Sequence, residues 1–281
     1  MAIIIKKRFL NTQVVLMDVF APLISKKAMP GQFIMLRVSE SGERIPLTIA
    51  DFDSKNETIT IIFQVVGKTT WSLSCLKEGE DILDFAGPLG KPSVFTHKKK
   101  VAVIAGGLGT AICYPQAKSL FKIGTFVHVI CGFRNKDLII LEDELKENSN
   151  KLSIITDDGS NGTKGFVTDV LNAQLNAGEK FDLVIAIGPL VMMKAVSELT
   201  RKFKIETIVS MNPIMIDGTG MCGGCRITVD NKTKYACVDG PDFNGHLVDF
   251  DEAIRRANMY RPQEKYSFDN HKCMLGGENG A

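Results

Sequence analysis

Asp217-Gly218-Thr219-Gly220-Met221-Cys222-Gly223-Gly224-Cys225 is a glycine-rich loop with two thiols, and a third, Cys237, follows twelve positions after Cys225. Glycines leave such a loop thin enough for its backbone amides to face a bound centre. Plant-type [2Fe–2S] sites use the spacing C-x4-C-x2-C…C, in which one loop wraps the cluster and a remote cysteine closes it. Cys222, Cys225 and Cys237 fit the second, third and fourth places, with Cys237 expected on a strand-like return, Lys234 to Val238, and Asp217 stands in the first. Alternatives remain open on spacing alone. A closed zinc site needs four N or S donors, and His246, nine residues after Cys237, is available as the fourth. A thioredoxin-like pair would open a helix after a strand, which the surrounding glycines disfavour. Thiols can also be apolar filler, although a glycine loop is a poor place for it.

Outward from the loop, the chain has 281 residues, enough for two domains and a small extra unit. Hydrophobic content of 44%, charged content of 23% and a net charge of +2 fit an ordinary globular protein without a basic field for nucleic acid. No apolar run approaches the roughly 20 residues that span a bilayer. Met1–Leu10 does not read as a signal peptide. Seven scattered cysteines do not form a disulfide framework, so the expected setting is reducing and cytoplasmic.

Residues 1–97 alternate short β-branched runs (Gln13–Val19, Gln32–Val38, Thr58–Val66, Glu80–Phe85) with turn signals at Pro30-Gly31, Ser41-Gly42, Gly79-Glu80 and Gly87-Pro88, which predicts a small antiparallel barrel. A short helix is expected at Thr69–Leu76. Two pieces could hold an anion. Gly67-Lys68-Thr69-Thr70 opens that helix, where orphan amides and the helix dipole suit a diphosphate. Arg44-Ile45-Pro46-Leu47-Thr48 offers a guanidinium and a hydroxyl. Each alone also fits an ordinary helix cap or a strand-edge arginine.

Residues 98–210 read as a parallel α/β domain. Apolar strands at Lys98–Ala105, Thr125–Gly132, Lys151–Thr156 and Asp182–Ile187 precede helical stretches. Three loops follow strand ends: Gly106-Gly107-Leu108-Gly109-Thr110, Thr156-Asp157-Asp158-Gly159-Ser160, and Gly188-Pro189 leading to Met192. Ligands sit at that edge of open α/β sheets. The first loop departs from the dinucleotide fingerprint, and Arg134, after the second strand, is a further candidate for a phosphate or ribose. In residues 211–262 a hairpin is expected from Arg226–Val229 and Lys234–Val238 across Asp230–Thr233, then a packing helix over Asp249–Tyr260 ending before Pro262. Residues 263–281 form a tail without periodicity, and Cys273 in it is not expected to be a ligand.

Pro30-Gly31-Gln32-Phe33, the Arg44–Thr48 stretch, Val65-Val66-Gly67-Lys68-Thr69-Thr70 and Ala86-Gly87-Pro88-Leu89-Gly90 together resemble the flavin barrel of the ferredoxin-reductase superfamily, in the branch of the dihydroorotate dehydrogenase electron-transfer subunit. Residues 106–110, 156–160 and 187–193 resemble its pyridine-nucleotide domain. Asn212–Cys225 with Ala236–Pro241 is similar to the small subunits of NADH-dependent ferredoxin:NADP+ oxidoreductase and sulfide dehydrogenase, and the resemblance covers about residues 1–262. It implies a Greek-key flavin barrel, a Rossmann-like nucleotide domain and a small [2Fe–2S] subdomain. It assigns FAD to Arg44, Pro46, Leu47, Thr48, Phe63, Gln64, Gly67, Thr69 and Thr70, with Thr48 near flavin N5. NAD(H) falls to Gly106, Gly107, Gly109, Thr110, Arg134, Asp157, Asp158, Gly188, Pro189 and Met192. The cluster falls to Asp217, Cys222, Cys225 and Cys237. The resemblance further implies a heterodimer or higher assembly with a larger flavin and [4Fe–4S] subunit, through which ferredoxin is reached, and electron bifurcation. In the dihydroorotate dehydrogenase subunit the first cluster ligand is Cys, so Asp217 speaks for the ferredoxin:NADP+ branch. A sulfide dehydrogenase subunit, a dihydroorotate dehydrogenase subunit and, more remotely, a zinc-stabilised nucleotide-binding regulatory module are the competing readings.

Overall fold

The computed structural model describes residues 2–95 and 98–276, the last six of them as backbone only. Strands β1 (Ile3–Phe9), β2 (Val14–Phe20), β3 (Phe33–Arg37), β4 (Ile45–Asp53), β5 (Thr58–Gln64) and β6 (Asp84–Leu89) form an antiparallel sheet in the order β1-β2-β5-β4-β3-β6. Helix α1 (Pro22–Ser25) follows β2, and α2 (Lys68–Cys75) lies between β5 and β6. The sheet curls closed, because the segment just before β6 bonds back to the start of β1: Ile4 N–H to Glu80 O at 3.0 Å and Ile82 N–H to Ala2 O at 3.0 Å. Val15, Met17, Val19, Ile34, Leu36, Ile49, Ile59, Ile61 and Phe63 fill the interior from alternate strand positions. Two strands lie outside the sequence expectation: β1, whose lysines and arginine break the apolar run, and β4, which begins in the Arg44–Thr48 stretch. The last strand also starts later than the expected Glu80–Phe85, after the closing segment.

The second sheet has the order β14-β11-β10-β7-β8-β9, where β14 is the short strand Asp242–Asn244. Its parallel strands are β7 (Lys100–Gly106), β8 (Phe126–Phe133), β9 (Lys151–Thr156), β10 (Leu183–Ile187) and β11 (Thr207–Ser210). Helices α3 (Gly109–Lys122), α4 (Glu142–Glu147), α5 (Val167–Asn176) and α6 (Leu190–Lys202) connect them. The chain winds outward from β7 in one direction, then restarts on its other side at β10. This makes the carboxyl ends of β7 and β10 a topological switch point, where a crevice opens.

Beyond residue 210 come β12 (Arg226–Val229), β13 (Lys232–Tyr235), α7 (Ala236–Asp239), β14 (Asp242–Asn244), α8 (Phe250–Ala257) and α9 (Arg261–Gly276). Strand β14 pairs antiparallel with β11, so this segment completes the nucleotide sheet. The hairpin turns at Asp230-Asn231, both in the left-handed region (φ 53° and 57°), which is tighter than expected and shifts β13 forward. Cys237 therefore sits in the helical turn α7, not on a strand. The tail is helical where aperiodicity predicted none. Pro262 occupies the first turn of α9, where a missing N–H does no harm, and α9 lies against α2. The Cys273 side chain lies outside the described residues. Among the described residues, no helix is long and apolar enough to cross a membrane.

His128 on β8 is fully buried, with Nε2 3.0 Å from Ser153 Oγ. Burial pushes its pKa down from 6.5 to about 4. The unfolded chain takes up a proton below about pH 6.5 that the folded chain refuses until about pH 4. Stability is therefore full above pH 6.5 and falls as the pH drops towards 4, by at most about 3 kcal/mol from this group. Urea unfolding from pH 7 to 4.5 should show this slope, and His128→Gln should flatten it; an equal slope in the variant would reassign it.

Candidate functional site

Three constellations meet around the barrel and the switch point. In the first, Arg44 reaches Asp84 Oδ2 (3.2 Å), which also accepts from Arg37 Nε at 2.7 Å. The two guanidinium groups hold the Asp84 carboxyl below the usual carboxylate range, Arg37 contributing most. Thr69 donates to Glu43 Oε2 at 3.3 Å, so the start of α2 is tied to the residue preceding Arg44. Two segments far apart in sequence thus share one rim. Pro46, Leu47 and Thr48 are half-exposed on β4 beside it. Gly67 caps α2 in extended conformation with open space where a Cβ would stand, so a ligand can approach the orphan amides. This cradle fits a diphosphate.

Three of the expected flavin contacts have side chains engaged within the chain. Phe63 is 1% exposed and its ring belongs to the barrel core, because alternation turns it inward. Gln64 spends its side-chain amide on Gln13 Oε1 at 2.9 Å. The Thr70 hydroxyl accepts from the Val66 and Gly67 N–H groups (3.0 and 3.1 Å), which makes it a helix cap and not a free phosphate donor.

In the second constellation, the loops after β7 and β10 press together across the switch point. A Cβ on Gly109 would stand 2.2 Å from Ile187 O, and one on Gly106 would stand 2.7 Å from Met192 Sδ and 2.9 Å from Pro189 Cδ. Gly188 packs against Gly106 in turn, and Gly107 (φ 54°) faces open space. The packing glycines set the close approach, and the open one leaves backbone accessible. The Thr110 side chain is fully buried, against Cys131, and leaves its backbone to the loop. The loops after β8 and β9 are zipped by Asp157 N–H to Phe133 O (2.9 Å) and Asp158 N–H to Arg134 O (3.3 Å), leaving Asp157, Asp158 and Arg134 exposed on one edge. Ser160 holds the Asp158 carboxyl below the usual range.

The third constellation is the Asp217–Cys237 loop. Its donors fall into two pairs. Asp217 Oδ2 accepts the Cys222 N–H at 2.9 Å, and Thr219 bonds to Oδ1. These bonds from Thr219 and Cys222 keep the carboxyl well below the usual carboxylate range. The other pair is Cys225 and Cys237, with Sγ atoms 3.2 Å apart. Burial, with Cys225 alongside, pushes the Cys237 thiol up to about 12. Among the described residues, no three donors converge on a single ion. A binuclear cluster takes two protein donors per iron, and Asp217 with Cys222 and Cys225 with Cys237 offer two such pairs. His246 is engaged elsewhere, Nε2 lying 3.1 Å from Thr200 Oγ1. The loop sits on the barrel: a Cβ on Gly218 would stand 2.7 Å from Met35 Cγ and 3.1 Å from Leu89 Cδ1. Met35 of β3 pairs in register with Pro46 of β4, one strand away in the stretch expected to line a flavin.

Glu43, Asp84 and Met35 join the site without a signal in the sequence. The first two are ordinary charged residues whose partners are distant in sequence. Met35 gave no signal beyond strand periodicity.

Gly109→Ala should destabilise the fold by about 1–3 kcal/mol through overpacking, whereas Gly107→Ala should cost about 1–2 kcal/mol for its left-handed backbone alone. Thermal unfolding checks the first as a lowered midpoint. Nucleotide affinity should fall in Gly107→Ala too, where the added methyl enters the open side of the loop.

The family of the iron–sulfur cluster binding domain of dihydroorotate dehydrogenase B matches residues 212–249. A Clostridium beijerinckii protein known as an uncharacterized protein in the adh 3' region is 50% identical over 93% of this chain and 91% of its own length. The Thermotoga maritima homolog of the dihydroorotate dehydrogenase B (NAD(+)) electron transfer subunit is 48% identical over 89% of this chain and 88% of its own. A solved structure of NADH-dependent reduced ferredoxin-NADP oxidoreductase, from work on flavin-based electron bifurcation, superposes with a TM-score of 0.91 at 45% identity, covering 96% of this chain and 98% of that one. Phthalate dioxygenase reductase, at 16% identity and a TM-score of 0.61, shares the fold. The chain belongs to the dihydroorotate dehydrogenase B electron-transfer-subunit family, with an iron–sulfur cluster-binding segment on a ferredoxin-reductase-like fold.

Proposed function

We propose that this chain passes electrons between NAD(H), FAD and a [2Fe–2S] cluster, as the smaller subunit of an electron-bifurcating NADH-dependent reduced ferredoxin:NADP+ oxidoreductase. The observation that carries the reading is strand β3, which has the cluster loop against Met35 and the flavin segment paired beside it. The bound groups supply hydride exchange between nicotinamide and flavin and single-electron exchange between flavin and cluster. The chain's residues do the placing. Arg44, steadied by Asp84, and the amides of α2 hold the FAD diphosphate, while Pro46, Leu47 and Thr48 line the ring. The backbone of residues 106–109 and the loop 188–192 hold the nicotinamide half of NAD(H), with Asp157, Asp158 and Arg134 towards its far end. Asp217 with Cys222 and Cys225 with Cys237 hold one iron each.

Asp217 in the first ligand position and the 45% identity to the ferredoxin-NADP oxidoreductase structure favour this assembly over dihydroorotate dehydrogenase. The larger partner meets the chain at the cluster. Beside the loop Met221 is 90% exposed and Ile216 60%, with Val238 next to them. Apolar side chains so exposed around a redox loop mark a surface that a partner covers. We further assign the units as 1–97, 98–210, 211–262 and a 263–281 tail.

The purified chain alone should be yellow-brown and reduce artificial dyes with NADH, yet show no ferredoxin-dependent NADP+ reduction. Ferredoxin-dependent NADP+ reduction by the lone chain would sink the two-subunit reading. Met221→Glu should weaken co-purification with the larger subunit at least about tenfold and leave NADH–dye activity intact.

A further inference from the structure

Helix α8 is fastened at one end and reaches the cluster loop with the other. Asp249 caps it, accepting the Glu252 N–H at 2.9 Å, while its own N–H bonds to Thr228 O at 2.9 Å. Phe250 and Ala253 are buried in the shared core, and Lys194 of α6 pairs with Asp251 at 2.8 Å. So anchored, the helix delivers Arg256 to the loop, where Nη2 donates to Gly224 O at 3.1 Å in a half-buried contact. Gly224 lies between Cys222 and Cys225, and its N–H points at Cys222 Sγ, 3.4 Å away. Arg226 makes a second, exposed bond to Gly223 O at 3.3 Å. The loop's donors, a carboxylate and three thiolates when a metal is bound, concentrate negative charge. A guanidinium one peptide away is the countercharge that the helix supplies.

We propose that Arg256 is a positioning residue for the cluster. It holds the Gly224 carbonyl, and through the Gly224 Cα steadies the preceding amide, whose N–H stays on Cys222 Sγ, and its charge raises the reduction potential of the centre bound there. This rests on the reading that the loop binds an iron–sulfur cluster. Both effects have the same sign: hydrogen bonds to ligand sulfur and a nearby cation stabilise the more negative, reduced form. Arg256 bonds the loop backbone at Gly224 O, so it would act through the loop.

The experiment uses the full chain, purified anaerobically, with iron and acid-labile sulfide assayed first. Wild type, Arg256→Gln, Arg256→Lys and the same-helix control Arg255→Gln are compared by redox titration followed by electron paramagnetic resonance, and by the rate of iron loss to a chelator. Arg256→Gln should lower the midpoint potential and release iron about 10-fold to 100-fold faster. Arg256→Lys should fall between, and Arg255→Gln should match wild type. Loss of the cluster from Arg256→Gln with retention in Arg256→Lys also supports the charge clamp. A wild-type potential and release rate in Arg256→Gln overturn the proposal, as does equal loss from both Arg256 variants. Wild-type chain lacking iron and sulfide overturns the cluster reading itself, and the proposal with it.

Discussion

Asp242 is a carboxylate buried where three parts of the chain meet, and the relative placement of the sites depends on it. Its Oδ2 accepts from Ser93, in the link out of the barrel, and from Gln116 of α3 at 3.3 Å, while Asp242 itself belongs to the edge strand contributed by the cluster segment. Burial raises its pKa, against the hydrogen bonds from Ser93, Ser210 and Gln116 that favour the charge. Taking a polar group out of water is tolerable only when its partners are fixed, so the network holds linker, helix and edge strand in one register. Lys91 N–H to Gly240 O (2.7 Å) and Met211 N–H to Pro241 O (2.9 Å) reinforce the same junction with backbone bonds.

Electron transfer asks for fixed distances between centres, and the core is arranged accordingly. Phe33 and Met35 of the barrel, Ile104 and Val209 of the nucleotide sheet, and Cys225, Ile227 and Phe243 of the cluster segment share one apolar cluster. The cluster segment is therefore built into the other two units, because its β14 hydrogen-bonds to β11 and its loop seats Gly218 on Met35. A bulkier residue at position 218 would push the loop off the barrel.

Much of this was legible in the residues. Alternating β-branched runs foretold the barrel, continuous apolar strands foretold the parallel sheet, and the three strand-end loops do gather on one edge. The cysteine spacing found the loop, and the structure sorted its donors into pairs. What stayed hidden depended on long-range partners. Strand β4 pairs through a stretch that reads as a motif, and β14 is three residues long, too short for periodicity. The cap made by the Thr70 hydroxyl and the burial of the Thr110 side chain likewise depend on folded neighbours. Cys237 reads as a strand residue because its neighbours are β-formers, yet Asp239 accepts the Tyr235 N–H at 2.8 Å and turns the chain into a helical cap there.

The paired arrangement of Asp217 with Cys222 and Cys225 with Cys237 makes the central claim directly measurable. Metal and acid-labile sulfide analysis of anaerobically purified chain, with Mössbauer spectroscopy on iron-57 material, should give about two irons and two sulfides per chain, with the two irons inequivalent because one has an oxygen ligand. One zinc per chain with no sulfide would contradict the account.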